Sequence, residues 1–229
     1  MTDASTDAFI DGLAGELRPV RRLWTPGRRA AAWIVAVAAL AAALASVSDL
    51  SDLAHRLTAV PDMGLAVLGS SSTAVLGAVA VFRLCLPDGP PRWALLPLPG
   101  LALWIAGTTM GCFRSWLIPG LEPATLMEAR TCFGFIVLLS VPLSAMTILM
   151  VRRGYPLRPN LAAAVGGLAV AAAAATLLNF FHPYDVGVTD IAVHVVAIGL
   201  VILVNRVVGG RLLVPAGRGA APPRGPSGR

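Results

Sequence analysis

The residues of this chain that could do chemistry are few, and they sit at the ends of long apolar runs. Cys112, Cys132, His182 and His194 offer thiolate and imidazole, which are good ligands for zinc and copper(I), and Met110 lies close in sequence to the first of them. Asp190 and His194 are four apart and so share one face of a helix. Cys112 and Cys132 could instead form a disulfide or a reversible redox pair if their Cα atoms come within about 7 Å. None of these residues shows a tight Cys/His spacing. Each comes from a separate segment, so the plain alternative is that each histidine is an interfacial polar residue bonded locally. Cys85, at the other end of its apolar run, reads as a small apolar side chain.

The elements that must position these groups are membrane spans. Of the 229 residues 56% are hydrophobic and 13% charged, and the mean hydropathy is +0.76, outside the usual soluble range. Six apolar stretches, at residues 30–48, 64–82, 94–111, 132–151, 161–178 and 186–204, are each long enough to cross a hydrocarbon core of about 30 Å as a helix. They lack the strict alternation of barrel strands, and lipid leaves only helices or closed barrels. The expected fold is therefore an all-α membrane protein, a bundle of six transmembrane helices. The first span lies too far in and is too rich in alanine for a simple signal peptide.

Every cationic residue is arginine, a composition expected of a GC-rich bacterial genome. Arg56, Arg114 and Arg130 fall on one side of the spans, and all the other arginines fall on the opposite side. The positive-inside rule then places both termini in the cytoplasm, in a bacterial inner (plasma) membrane. It also places Cys112, Cys132, His182, Asp190 and His194 at the outer, oxidising face, and Cys85 where thiols stay reduced. The isoelectric point near 10.5 is explained by cytoplasmic arginines beside anionic membrane lipid, so no direct nucleic-acid contact is expected. The organisation read from the sequence is a cytoplasmic segment over residues 1–29, a membrane domain over 30–208, and a disordered Arg/Gly/Pro-rich tail over 209–229.

Residues 6–18 read as a short amphipathic helix. Phe9, Leu13 and Leu17 fall on one stripe with Ile10 beside them, and Asp3, Asp7 and Asp11 form an acidic row. Pro19 ends the helix or kinks it at Arg18, and Val20, Arg21, Arg22, Leu23 and Trp24 make a basic approach to the membrane. Such a helix either lies on the bilayer or docks its apolar face into a partner's groove. Within the spans, Ser70 to Thr73 and Gly166-Gly167 read as helix-packing positions, with a solute path as the sharper alternative for the hydroxyls. Pro97, Pro99 and Pro142 are expected to kink their helices.

The stretch Leu13-Ala14-Gly15-Glu16-Leu17-Arg18-Pro19-Val20-Arg21-Arg22-Leu23, with Pro26 and the Arg29-Ala30-Ala31-Ala32-Trp33 entry to the first span, resembles the opening of the NrsF family. Cys132-Phe133-Gly134-Phe135-Ile136, then Leu139-Ser140-Val141-Pro142-Leu143, Arg152-Arg153-Gly154 and Arg158-Pro159 continue the resemblance. Phe181-His182-Pro183-Tyr184-Asp185 and His194 complete it. These are six-span membrane negative regulators of extracytoplasmic-function sigma factors. The resemblance implies a membrane anti-sigma factor whose cytoplasmic N-terminal segment holds its sigma factor and releases it on an external signal. The residues expected to bind are Phe9, Ile10, Leu13, Leu17, Pro19, Val20, Arg21 and Arg22, and the outer-face side chains point to a redox or metal signal. The resemblance also implies sensing at a pair of cysteines. Cys132 matches the first, and His182 stands where the second is expected, which puts a simple disulfide switch in doubt. The sensing set is then Cys132, His182, Cys112, His194 and Asp190. Copper or zinc is a possible signal ion, held by Cys112, Cys132, His182 and His194.

The rival function is a small six-helix transporter of an ion or solute, with Asp190 and His194 binding a cation. Against it, the spans lack paired charges at mid-depth and the broken-helix symmetry of many carriers. No Cys-x-x-Cys, Walker-type loop, zinc-protease motif or serine-hydrolase elbow is present, so an enzyme is not expected.

Overall fold

The computed structural model describes residues 3–15, 23–86, 89–117, 126–154, 156–181 and 188–213. Eight helices follow in order. They are α1 (Asp3–Gly15), α2 (Pro26–Ala45), α3 (Leu50–Ala59), α4 (Pro61–Leu84), α5 (Leu98–Leu117), α6 (Leu126–Arg152), α7 (Pro159–Leu178) and α8 (Val188–Val204). A 3₁₀ turn at Pro91–Leu95 leads into α5. α8 runs on through a π-helical turn, Asn205–Gly209, to Leu212. No strand occurs among the described residues. Six helical segments are long and apolar enough to cross a membrane: Pro26–Ala45, Pro61–Leu84, Pro91–Arg114, Arg130–Arg152, Pro159–Leu178 and Val188–Leu212. The all-α, six-span architecture expected from hydropathy is the one observed.

α7 is the axis of the bundle. Its alanines and glycines carry so little side chain that α4, α6 and α8 pack on it from different sides, and most of its residues are buried. Without a hydrophobic drive between helices in lipid, such close backbone approach is what holds spans together. A Cβ on Gly77 would come within 2.9 Å of Ala169 on α7, and one on Gly167 within 2.9 Å of Asn205. The closest contact joins α4 to α5. A Cβ on Gly69 would overlap the Trp104 backbone, and one on Gly100 would reach the Thr73 nitrogen at 2.7 Å. Gly69→Ala should therefore force the two helices apart and destabilise the bundle by about 1–3 kcal/mol, read as a lower unfolding temperature of the purified protein.

Polar groups in the spans are paired mainly within the bundle. The Thr176 hydroxyl donates to Ser70 at 2.8 Å, joining α7 to α4, whereas the Thr73 hydroxyl turns back on the Gly69 carbonyl of its own helix. Of the hydroxyl run read as a packing feature, Ser70 thus bonds across helices. Asn205, buried in the π-helical turn, donates to Ser144 on α6 and to the Val201 carbonyl, both at 2.8 Å. Pro97 and Pro99 do not lie in the interior of α5 but at the break between the 3₁₀ turn Pro91–Leu95 and that helix. They sit before and within the first turn of α5, where a missing N–H has no intrahelical partner to lose. Pro142 lies inside α6, which continues through it.

One element was not read from the sequence. Residues 50–59, in the connector after the first span, form the amphipathic helix α3. Asp49 caps it, accepting from the Ser51 and Asp52 backbone N–H groups at 3.0 and 3.1 Å. Hydrogen bonds from the Ser51 hydroxyl and then the Asp52 backbone hold the Asp49 carboxyl below the usual carboxylate range. A carboxyl with a depressed folded-state value stabilises above its unfolded value, about pH 4, and that contribution is lost as pH falls through the folded value. The protection factors of α3 amides, corrected for the intrinsic exchange rate at each pH, should accordingly fall on acidification below about pH 4 in the native chain and lose that dependence in Asp49→Ala.

Candidate functional site

Three chemistry-bearing side chains converge where α6 and α8 begin. Cys132 lies near the start of α6, and Asp190 and His194 lie in the first turns of α8. One ligand atom from each lies within 4.8 Å of the other two. The i, i+4 spacing puts Asp190 and His194 on one face of α8, as the sequence required. Packing of α6 on α8 then brings in Cys132. Cys132 is fully buried in an apolar cluster with Ile136 of α6, Ala174 and Leu178 of α7 and Ala197 of α8.

The hydrogen bonds define the proton positions. His194 Nδ1 lies 2.9 Å from the Asp190 backbone carbonyl and 3.3 Å from its carboxylate. The carbonyl can only accept, so Nδ1 carries a proton. Nε2 faces the Cys132 Sγ at 3.5 Å. The thiol can therefore donate to Nε2. A nucleophile, a base and a carboxylate that orients the base form the arrangement that activates thiols, and the thiolate is also the metal-binding form. The Asp190 carboxylate is not fully used. Its Oδ1 is buried and has no hydrogen-bond partner among the described residues.

The other expected site residues fall differently. Cys112 is half-buried near the end of α5 and is not among the atoms that converge. No disulfide joins the cysteines among the described residues. His182, Leu17, Pro19, Val20, Arg21 and Arg22 lie outside the described residues. Met110 is exposed on α5. Residues 6–15 of α1 are exposed on every side, including Phe9, Ile10 and Leu13.

The same end of the bundle carries an ion pair not anticipated from the sequence, between buried Asp62 of α4 and Arg114 of α5 at 3.3 Å. At the opposite end, Arg29 of α2 is buried. It donates to the Met150 carbonyl near the end of α6 and stacks over Phe82 at 4.9 Å. A turn further along α2, the Trp33 indole donates to Thr147 of α6 at 2.8 Å. The only sequence signal for this pair was the Arg29-Ala30-Ala31-Ala32-Trp33 entry to the first span, which carried part of the family resemblance and no contact.

A search of the curated proteins and one of the solved structures found no match. A family model, described as "NrsF: Negative regulator of sigma F", matches residues 13–214. That region runs from the end of α1 past the end of α8 and includes Cys132, Asp190 and His194. The chain therefore belongs to the NrsF family, negative regulator of sigma F.

Proposed function

We propose that this regulator is a membrane anti-sigma factor. It binds an extracytoplasmic-function sigma factor through its N-terminal segment and releases it when a redox or metal event occurs at Cys132, Asp190 and His194. In this reading both termini lie on one face, as an even number of crossings requires, and the arginine distribution supports that face being the cytoplasm of a bacterial inner membrane. The cluster then lies at the outer face. Binding is protein to protein, with no catalytic step.

The observation that carries the reading is the place of α6. Its first turns hold Cys132, and its last turns receive Trp33 and Arg29 of α2, the helix that follows the N-terminal segment. From Cys132 to Met150 is about 27 Å of helix, close to the thickness of the hydrocarbon core. A shift of α6 at one end is thus felt by α2 at the other. Meanwhile α1 offers Phe9, Ile10 and Leu13 to a partner's groove rather than to the bundle.

The donor set suits a soft ion. Sulfur, nitrogen and oxygen atoms converge, and Asp190 Oδ1 is buried without a partner among the described residues. Cys132, His194 and Asp190 would hold zinc or copper(I), and the ion would supply a charge that draws α6 and α8 together. Cys112 is not in this set, and His182 enters it only as an expectation. The deciding experiment is co-purification of the sigma factor encoded beside this chain with full-length protein and with protein lacking residues 1–24.

A further inference from the structure

A cavity of about 390 Å³ runs alongside α8 from Asp190 to Ile202, with α4, α5 and α7 completing its walls. That volume falls in the range of about 300–1,000 Å³ typical of small-molecule sites. α5 and α8 flank the cavity without packing closely on each other. Its mouth lies between Ile105 and Thr109 of α5 and Val195 and Gly199 of α8, all exposed on the lipid-facing side of their spans. A ligand that enters there arrives from the hydrocarbon phase and must itself be lipid-soluble.

The walls are apolar, with Leu101, Trp104, Ile191 and Ile198 among them, and the polar groups gather toward one end. Asp190, His194, Ser70 and Thr108 all line the cavity. Asp190 is 5% exposed, yet its Oδ1 has no hydrogen-bond partner among the described residues. An unpaired carboxylate oxygen at this depth is costly, so the site is short of one hydrogen-bond donor. Cys132 approaches the same pair from the α6 side and does not line the cavity.

We propose that this cavity binds a membrane quinol, a flat ring with hydroxyl donors on an apolar tail. One ring hydroxyl donates to Asp190 Oδ1, the ring lies among Trp104 and the aliphatic walls, and the tail leaves through the α5–α8 gap into lipid. Asp190 Oδ1 has no donor among the described residues, so the reduced form, whose hydroxyls can donate, is preferred over the quinone, whose carbonyls cannot. The ligand then reports the redox state of the membrane pool to the residues assigned above to sensing. In that role the inference rests on the proposed function, but binding itself needs no sigma factor.

The test uses purified full-length protein in neutral phosphatidylcholine nanodiscs, with a benzoquinol bearing a decyl tail and its oxidised form as probes. Quenching of tryptophan fluorescence should saturate, with the quinol bound about tenfold more tightly than the quinone. Asp190→Ala should weaken the quinol about tenfold. Gly199→Leu should abolish saturation by filling the mouth; a Cβ there meets nothing within 4 Å, so this variant keeps the fold. Leu138→Ala, on the exposed face of α6, should leave binding unchanged. Non-saturating quenching in the native protein, equal binding to Gly199→Leu, or equal displacement by a decyl-trimethylammonium probe would overturn the proposal. Because no sigma factor is present, failure here leaves the anti-sigma reading standing, and failure of sigma co-purification leaves quinol binding standing.

Discussion

Protein lacking residues 1–24 should retain at least about tenfold less of its sigma factor on co-purification than the full chain does. The physical reason is the exposure of α1. Phe9 is 67% exposed, Ile10 54% and Leu13 52%, so their apolar surface is spent on nothing within the bundle. Burying them in a partner's groove is worth about 1.5–3 kcal/mol per side chain at full burial, enough for a specific helix-in-groove contact. The deletion ends at Trp24, before the Thr25 cap of α2, so the membrane helices should keep their unfolding temperature. That control separates loss of a docking segment from loss of the fold. The narrower variant, with Phe9, Ile10 and Leu13 all changed to alanine, should lose most of the same binding. Equal retention by the truncated protein would mean that α1 lies on the bilayer and that the partner docks elsewhere. The family match begins at residue 13, so Phe9 and Ile10 are assigned on chemistry and exposure alone.

Cys132→Ser should abolish induction of the sigma regulon by thiol oxidants and by copper or zinc, at least a tenfold loss of response, while leaving basal repression in place. Serine keeps the size of the buried side chain but removes the soft thiolate, so zinc and copper(I) lose their strongest donor. Basal repression should persist because Cys132 Sγ lies within a small apolar cluster that a hydroxyl perturbs only locally. Moving a two-state packing equilibrium from 1:99 to 99:1 takes about 5.5 kcal/mol of differential binding, and three converging ligands are a source of that size. His194→Gln should lose the metal response as well, and it also removes the base facing the thiol. An unchanged response in Cys132→Ser would remove this residue from the mechanism and direct attention to Cys112.

The reach of sequence reasoning varied with the range of the interaction. Hydropathy set the six spans because a bilayer imposes one length on any helix that crosses it. The pair Asp190 and His194 was legible because helical period fixes which residues share a face. α3 was missed because its stabilisation comes from the Asp49 cap and a short amphipathic face, both invisible to a search for long apolar runs. The prolines at 97 and 99, expected to kink a helix, lie instead at its start, because the helix starts later than its apolar run does.

By itself, the sequence determined the solvent of this protein, the number of its spans, the amphipathic stripe at its N-terminus and the family to which it belongs. Those properties depend on composition and on neighbours a few residues apart along one chain. Tertiary structure alone decided that Cys132, rather than Cys112, meets Asp190 and His194, and that α6 links this cluster to Arg29 and Trp33. It also decided that Asp190, with a buried carboxylate oxygen unpaired among the described residues, lines a cavity between α5 and α8. These facts depend on which helices pack together, and in lipid that choice is made by small residues such as Gly69, Gly77 and Gly167 permitting close approach. No local pattern records which partner each of those glycines will meet.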